Sequence, residues 1–238
     1  MKRVKKISLI LLAAILLVAA TGVVLVTIYE EEVEQFALAK LEQSLVTKVQ
    51  VGDMDMTLWD KFPQASLVCN RVLIEETYAE RDTLLFADRV YLQFNLFDFL
   101  GGDYIVRDLS IEDAELHIKR TIDGQDNFHF WKKTEGGGDF SFSLEGVSLS
   151  EVRTTIDDKK AEFSMDVLAK SISLDGLFAE ETFTLDAIAD LHFNTIMVGE
   201  NQFVAQKSVQ VNCLADINTA ESAYYITEGE IELEEIPF

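Results

Sequence analysis

The hydrophobic pattern of this chain changes period twice. From Ile7 to Ile28 the residues are apolar or small and none is charged. A helix of that length rises ~30 Å at 1.5 Å per residue, the thickness of a bilayer's hydrocarbon. Residues 30–47 then place Val33, Phe36, Ala37, Lys40, Leu41 and Leu45 near helical spacing. Acids fill the first turn, where the helix dipole favours them. From Val49 the period falls to two. Val49 and Val51 alternate at odd positions, Met54, Met56 and Leu58 at even ones, and Gly52 sits at the switch, where a β-bulge would re-register the strand. Pro63 marks a turn or a strand start.

Further alternating runs follow. Leu92, Phe94 and Leu96 form one, Ala114, Leu116 and Ile118 a second, Phe140, Phe142 and Leu144 a third. Phe163, Met165, Val167 and Ala169 come next, then the cleanest run, in which Phe183, Leu185, Ala187, Ala189, Leu191 and Phe193 share one face. Val209, Val211, Cys213, Ala215 and Ile217 continue the theme, as do Ile231 and Leu233. Asp123–Asn127 reads as a turn between strands, Asn127–Trp131 as an aromatic-rich strand, and Gly136–Gly138 as a boundary between two β units.

This is the signature of antiparallel sheets with one apolar and one wet face. Roughly a dozen strands are predicted, and only one good helix beyond Glu30. One helix cannot cover so wide an apolar face. That face must pack on another sheet, curl on itself, or meet a partner that is not protein. A curved antiparallel sheet forming an open apolar groove and a closed β-sandwich are the competing solutions.

The first apolar run is too long for a cleaved signal peptide, whose apolar core spans ~7–15 residues, and it continues past Ala19-Ala20 through Val23–Val26. It reads as a retained signal anchor. Lys2, Arg3, Lys5 and Lys6 stay cytoplasmic by the positive-inside rule, and the rest is exported. The expected organisation is a cytoplasmic N-terminus at 1–6, a transmembrane anchor at 7–28, an amphipathic helix at 29–47, a first β unit at 48–135 and a second at 139–238. The strand-like run just before Glu235–Phe238 suggests a sheet that continues, or a truncated member of a longer family.

Charge narrows the partners. The net charge is −22, and every residue before Glu30 that carries charge is basic, so the exported part is strongly acidic. It repels phosphate backbones and anionic head groups, which excludes nucleic acid as a partner. The acids read as a solvated outer face. Cys69 and Cys213 match no metal or redox spacing; a disulfide and two buried thiols are both open.

A search for chemistry returns little. His117, His129 and His192 are scattered, with His117 and His192 on the polar side of their alternations. There is no metal-ligand spacing, nucleophile elbow, dinucleotide fingerprint or P-loop, and the acids around Asp123 miss the EF-hand spacing. No catalytic residue, metal or cofactor is expected, and the chain does not read as an enzyme.

Several segments in order carry a resemblance. Val49–Gly52 opens the sheet after the anchor and helix; Phe62-Pro63 precedes Ser66–Val72; Ala87–Leu96 leads to Phe99–Gly102. Ile105–Ile111 then runs to Asp123-Gly124 and Asn127-Phe128, and Phe142–Leu149 opens the second unit. In this order the chain resembles the N-terminal part of the AsmA-like family of bacterial envelope proteins, related in architecture to chorein-type bridge lipid-transfer proteins. The resemblance implies a curved sheet with an open apolar groove, tied to phospholipid movement or homeostasis between inner and outer membranes. The expected place is the bacterial inner membrane, single-pass, with a periplasmic domain. Expected partners are membrane phospholipid, the inner membrane and other envelope proteins. Leu92, Phe94, Leu96, Phe142, Phe163, Met165, Phe183, Leu185, Leu191 and Phe193 are the expected lipid-binding residues. A non-enzymatic envelope scaffold or outer-membrane assembly factor, acting through protein contacts at an open sheet edge, is the alternative.

Overall fold

The computed structural model describes residues 35, 46–57, 64–78, 82–101, 104–129 and 140–233. The expected anchor at 7–28, all of the 29–47 helix but Gln35, Thr47 and Val46, Pro63 and Gly136–Gly138 lie outside the described residues. No helix among the described residues is long and apolar enough to cross a membrane.

Ten strands form one curved, open sheet: β1 (Val49–Gln50), β2 (Asp53–Thr57), β3 (Gln64–Glu75), β4 (Thr83–Asn95), β5 (Tyr104–Arg120), β6 (Phe140–Asp158), β7 (Phe163–Asp175), β8 (Thr182–Val198), β9 (Asn201–Asn218) and β10 (Ala223–Leu233). β1 and β2 both pair with β3, and β3 to β10 then follow in sequence order. At ~4.8 Å per strand the sheet is about 38 Å across. The described residues make neither a closed sandwich nor the full dozen strands expected.

Three expectations need correction. The sheet is not wholly antiparallel: β5 and β6 pair in parallel, from Tyr104 opposite Phe140 to Arg120 opposite Asp158. Residues 121–139 connect them, and a parallel pair needs a long crossover because the chain must return to the end from which it started. That pairing also joins the two expected β units in one sheet. Leu96 does not extend the run of Leu92 and Phe94. A six-residue helix, α1 (Leu96–Gly101), starts there, because the Asn95 Oδ1 accepts hydrogen bonds from Phe97 N (2.8 Å) and Asp98 N (3.4 Å) and caps it. Asn127–His129 form no strand.

The turn at Asp123-Gly124 is present. Gly124 has φ 84° and its N–H bonds Thr121 O at 2.9 Å. The chain then folds back along β5 rather than into a hairpin. Asn127, fully buried, receives the Lys119 N–H on Oδ1 (2.8 Å) and gives its own amide to His117 O (2.7 Å) and Glu76 Oε2 (3.2 Å). The Glu76 carboxylate, 2% exposed, also holds the Lys119 ammonium at 3.2 Å. Buried polar groups that satisfy one another pin the start of the crossover. Burial alone would lower the Lys119 pKa, but the bonds to Asp82 and Glu76 outweigh it and hold it above the ordinary value.

A single line of phase shifts bends the pattern. In six successive segments two non-apolar residues, not one, separate neighbouring apolar ones: Val51 to Met54, Cys69 to Val72, Ala87 to Val90, Ile111 to Ala114, Leu149 to Val152, Ala169 to Ile172. The pairing aligns these skips across the sheet. In the row Arg71, Asp113 and Glu151 hold φ of 53°, 52° and 52°. A left-handed residue in a strand interrupts the alternation by one position, so residues three apart such as Cys69 and Val72 share a face and the apolar face crosses the line unbroken. Gly52 continues the row into the β1–β2 break. Its N–H bonds Asn70 O at 2.9 Å, and a Cβ there would meet the Arg71 Nε at 2.7 Å.

Candidate functional site

The register assembles the alternating residues into rows across the sheet. Leu67, Leu92, Leu109, Val147, Leu174, Ala187 and Cys213 make one row; Cys69, Val90, Ile111, Leu149, Ile172, Ala189, Val211 and Ile231 make the next. Beyond the bend lie Val72, Ala87, Ala114, Val152, Ala169, Leu191, Val209 and Leu233. All face the same way. Cys69 and Cys213 form no disulfide: both lie on this face, six strands apart, far beyond the ~7 Å a disulfide spans.

The opposite face is polar. Ser110 Oγ lies 2.6 Å from Ser148 Oγ, His117 Nδ1 2.8 Å from Thr155 Oγ1, and Thr184 Oγ1 donates to Asp216 at 3.0 Å. Arg153 holds Asp166 through two bonds, of 3.0 and 2.7 Å, and Asn194 adds a third at 3.1 Å. The Arg153 bond keeps the Asp166 pKa below the usual carboxylate value, against the opposing effect of burial. His192 bonds Ser208 and Gln206. These are cross-strand polar pairs of an ordinary wet face. Among the described residues no group of three or more His, Cys, Asp or Glu could hold a metal ion.

The apolar face changes character along the sheet. At β3 Leu67 is 2% exposed; at β10 Ile231 is 63% and Leu233 64% exposed. Of the ten residues expected to meet lipid, Phe94 is buried in the core and Leu92 packs against it. Phe163, Met165, Phe183, Leu185, Leu191 and Phe193 are half-buried on the same face of β7 and β8. Phe142 aligns with Val106, and Leu96 leaves the sheet for α1; the side chains of both lie outside the described residues. The expected residues therefore share a face without converging on one pocket. Hollows bounded by described residues open on the polar side. One, of about 300 Å³, is lined by Ile188, Asp190, Gln210, Asn212, Glu230 and Glu232 among others.

The expected set missed the most exposed part of the apolar face: Tyr224, Ile226, Ile231 and Leu233 on β10. The doubled polar spacer, repeated in six segments, was the signal available. Read as a phase shift, it would have joined runs that look unrelated.

Comparison of the chain with protein-family models, characterised proteins and solved structures returns no match. The AsmA-like resemblance rests on the order of its motifs.

Proposed function

We propose that the protein binds phospholipid acyl chains on the apolar face of its sheet, as an inner-membrane-anchored periplasmic component of outer-membrane lipid homeostasis. One observation carries the reading: among the described residues, one sheet with a continuous apolar face on one side, a charged and hydrogen-bonded face on the other, and Ile226, Ile231 and Leu233 more than 60% exposed. Apolar area of that extent is stable in water only when something covers it. Acyl chains fit, because they need no hydrogen bonds and bring ~0.8 kcal/mol per buried methylene. The acidic remainder of the chain disfavours adsorption to an anionic bilayer surface, so single lipids are the occupant. Phe183, Leu185, Leu191 and Phe193, with the β10 residues, are the contact surface in this reading, while Leu92 and Phe94 serve the core. No catalysis is assigned.

The test is native mass spectrometry on a chain beginning at Tyr29, exported to the periplasm and purified without detergent, with organic extraction of bound lipid. Stoichiometric phospholipid, lost in Leu185→Asp while the fold persists, is the expected result. A monodisperse lipid-free protein overturns the proposal.

A further inference from the structure

The two sides of the sheet end differently. On one side the outer strand is broken at Gly52, short on either side of the break, and tied to β3 by the Arg71–Asp53 ion pair at 3.0 Å. Such an edge is blunted against further pairing. On the other side β10 pairs with β9 alone among the described residues, and from Tyr224 to Leu233 every residue is exposed. After a register shift at Ile226/Glu228, the segment Glu228–Leu233 pairs without interruption, so its outer backbone N–H and C=O groups are presented in regular strand order. Its side chains divide by face. Ile231 and Leu233 continue the apolar rows, whereas Glu228, Glu230 and Glu232 stand together on the polar face, two of them beside the 300 Å³ hollow.

From this geometry we infer that Glu228–Leu233 takes a β-strand from a different protein, one whose residues alternate basic and apolar side chains. Added to β10, that strand sets Lys or Arg opposite the three glutamates and apolar residues beside Ile231 and Leu233. Both the backbone ladder and the apolar rows then extend by one strand. The glutamates select the partner. A second copy of this chain, paired edge to edge, would bring three carboxylates against three on the same face, and like charges directly opposite are destabilising. The hollow leaves room for the long side chains of a basic partner. The inference does not depend on lipid binding, since it concerns the sheet's edge and its polar face.

The experiment uses the full chain in detergent micelles and a synthetic eight-residue peptide alternating lysine and valine, with a glutamate–valine peptide as control. The lysine peptide is expected to slow amide hydrogen exchange across Glu228–Leu233 and to leave Asp53–Thr57 unchanged. Its affinity falls with added salt. Replacing all three glutamates by Gln lowers it by a factor of about 3 to 150, from three exposed cross-strand pairs of ~0.2–1 kcal/mol each. The triple change to Lys transfers binding to the glutamate peptide; Glu230→Gln alone gives a partial loss and serves if the triple variants do not fold. Equal binding of both peptides, or no protection at β10, overturns the inference. So does peptide-free protection that grows with protein concentration, which marks self-pairing.

Discussion

The line of phase shifts makes a sharp prediction at Glu151. This residue is exposed, has no ion-pair partner among the described residues, and holds φ 52° in the middle of β6. A left-handed conformation costs a residue with a Cβ about 1–2 kcal/mol. Glycine removes that cost but adds ~0.5–1 kcal/mol of chain entropy in a strand. Glu151→Gly is therefore expected to leave stability unchanged or raise it by up to ~1.5 kcal/mol. Glu151→Val keeps the strain and adds β-branching, and loses at least ~1 kcal/mol. Ser171 provides the control. It is exposed on β7, opposite Ser150 and beside the same line, and its φ is not positive. There the order reverses: valine is better than glycine by ~1 kcal/mol, as strand propensity dictates. Urea unfolding followed by far-ultraviolet circular dichroism reads both pairs, with unchanged m-values as the check that the unfolded state is the same. Valine above glycine at both positions would refute the bend as the source of the phase shift.

The remaining expectations follow from burial and pairing. Asn127→Ala strips hydrogen bonds from Glu76, His117 and Lys119 at a buried corner, and is expected to destabilise by about 2–5 kcal/mol in the same unfolding assay. Leu67→Ala, at 2% exposure, should cost about 2–5 kcal/mol, whereas Leu233→Ala, at 64%, should cost under ~1 kcal/mol; equal costs would mean that the face does not open toward β10. Asp82, Asp126 and Asp166 all have lowered pKa values, so each binds its proton less readily folded than unfolded. Their stabilisation is full above ~3.9 and is lost as pH falls through the folded values. Acid titration of Asp166→Asn, which keeps no carboxylate for Arg153, should show a shallower loss of stability below pH ~4 than the parent.

Much of this architecture was legible because strand alternation is local. Whether Phe183 and Leu185 share a face depends only on their spacing, and the structure pairs them with Ile217 and Ala215 in one sheet. The polar placement of His117 and His192 was legible for the same reason. Leu96 was misread because a helix cap competes with alternation: Asn95 ends the strand by bonding the next two amides, and the period of Leu92–Leu96 carries no sign of it. The β10 surface was underweighted because alternation reports a shared face, not how exposed that face is.

The sequence by itself determined that the chain beyond the first apolar run is β-rich, two-faced and acidic, since period, residue type and charge are properties of neighbouring positions. It also contained the doubled polar spacers. Only the tertiary structure decided that those spacers align in one row, that β5 meets β6 in parallel, and that the sheet opens toward β10. Each of these depends on which strand pairs with which, across separations of tens of residues, and side-chain order within a strand does not encode that choice.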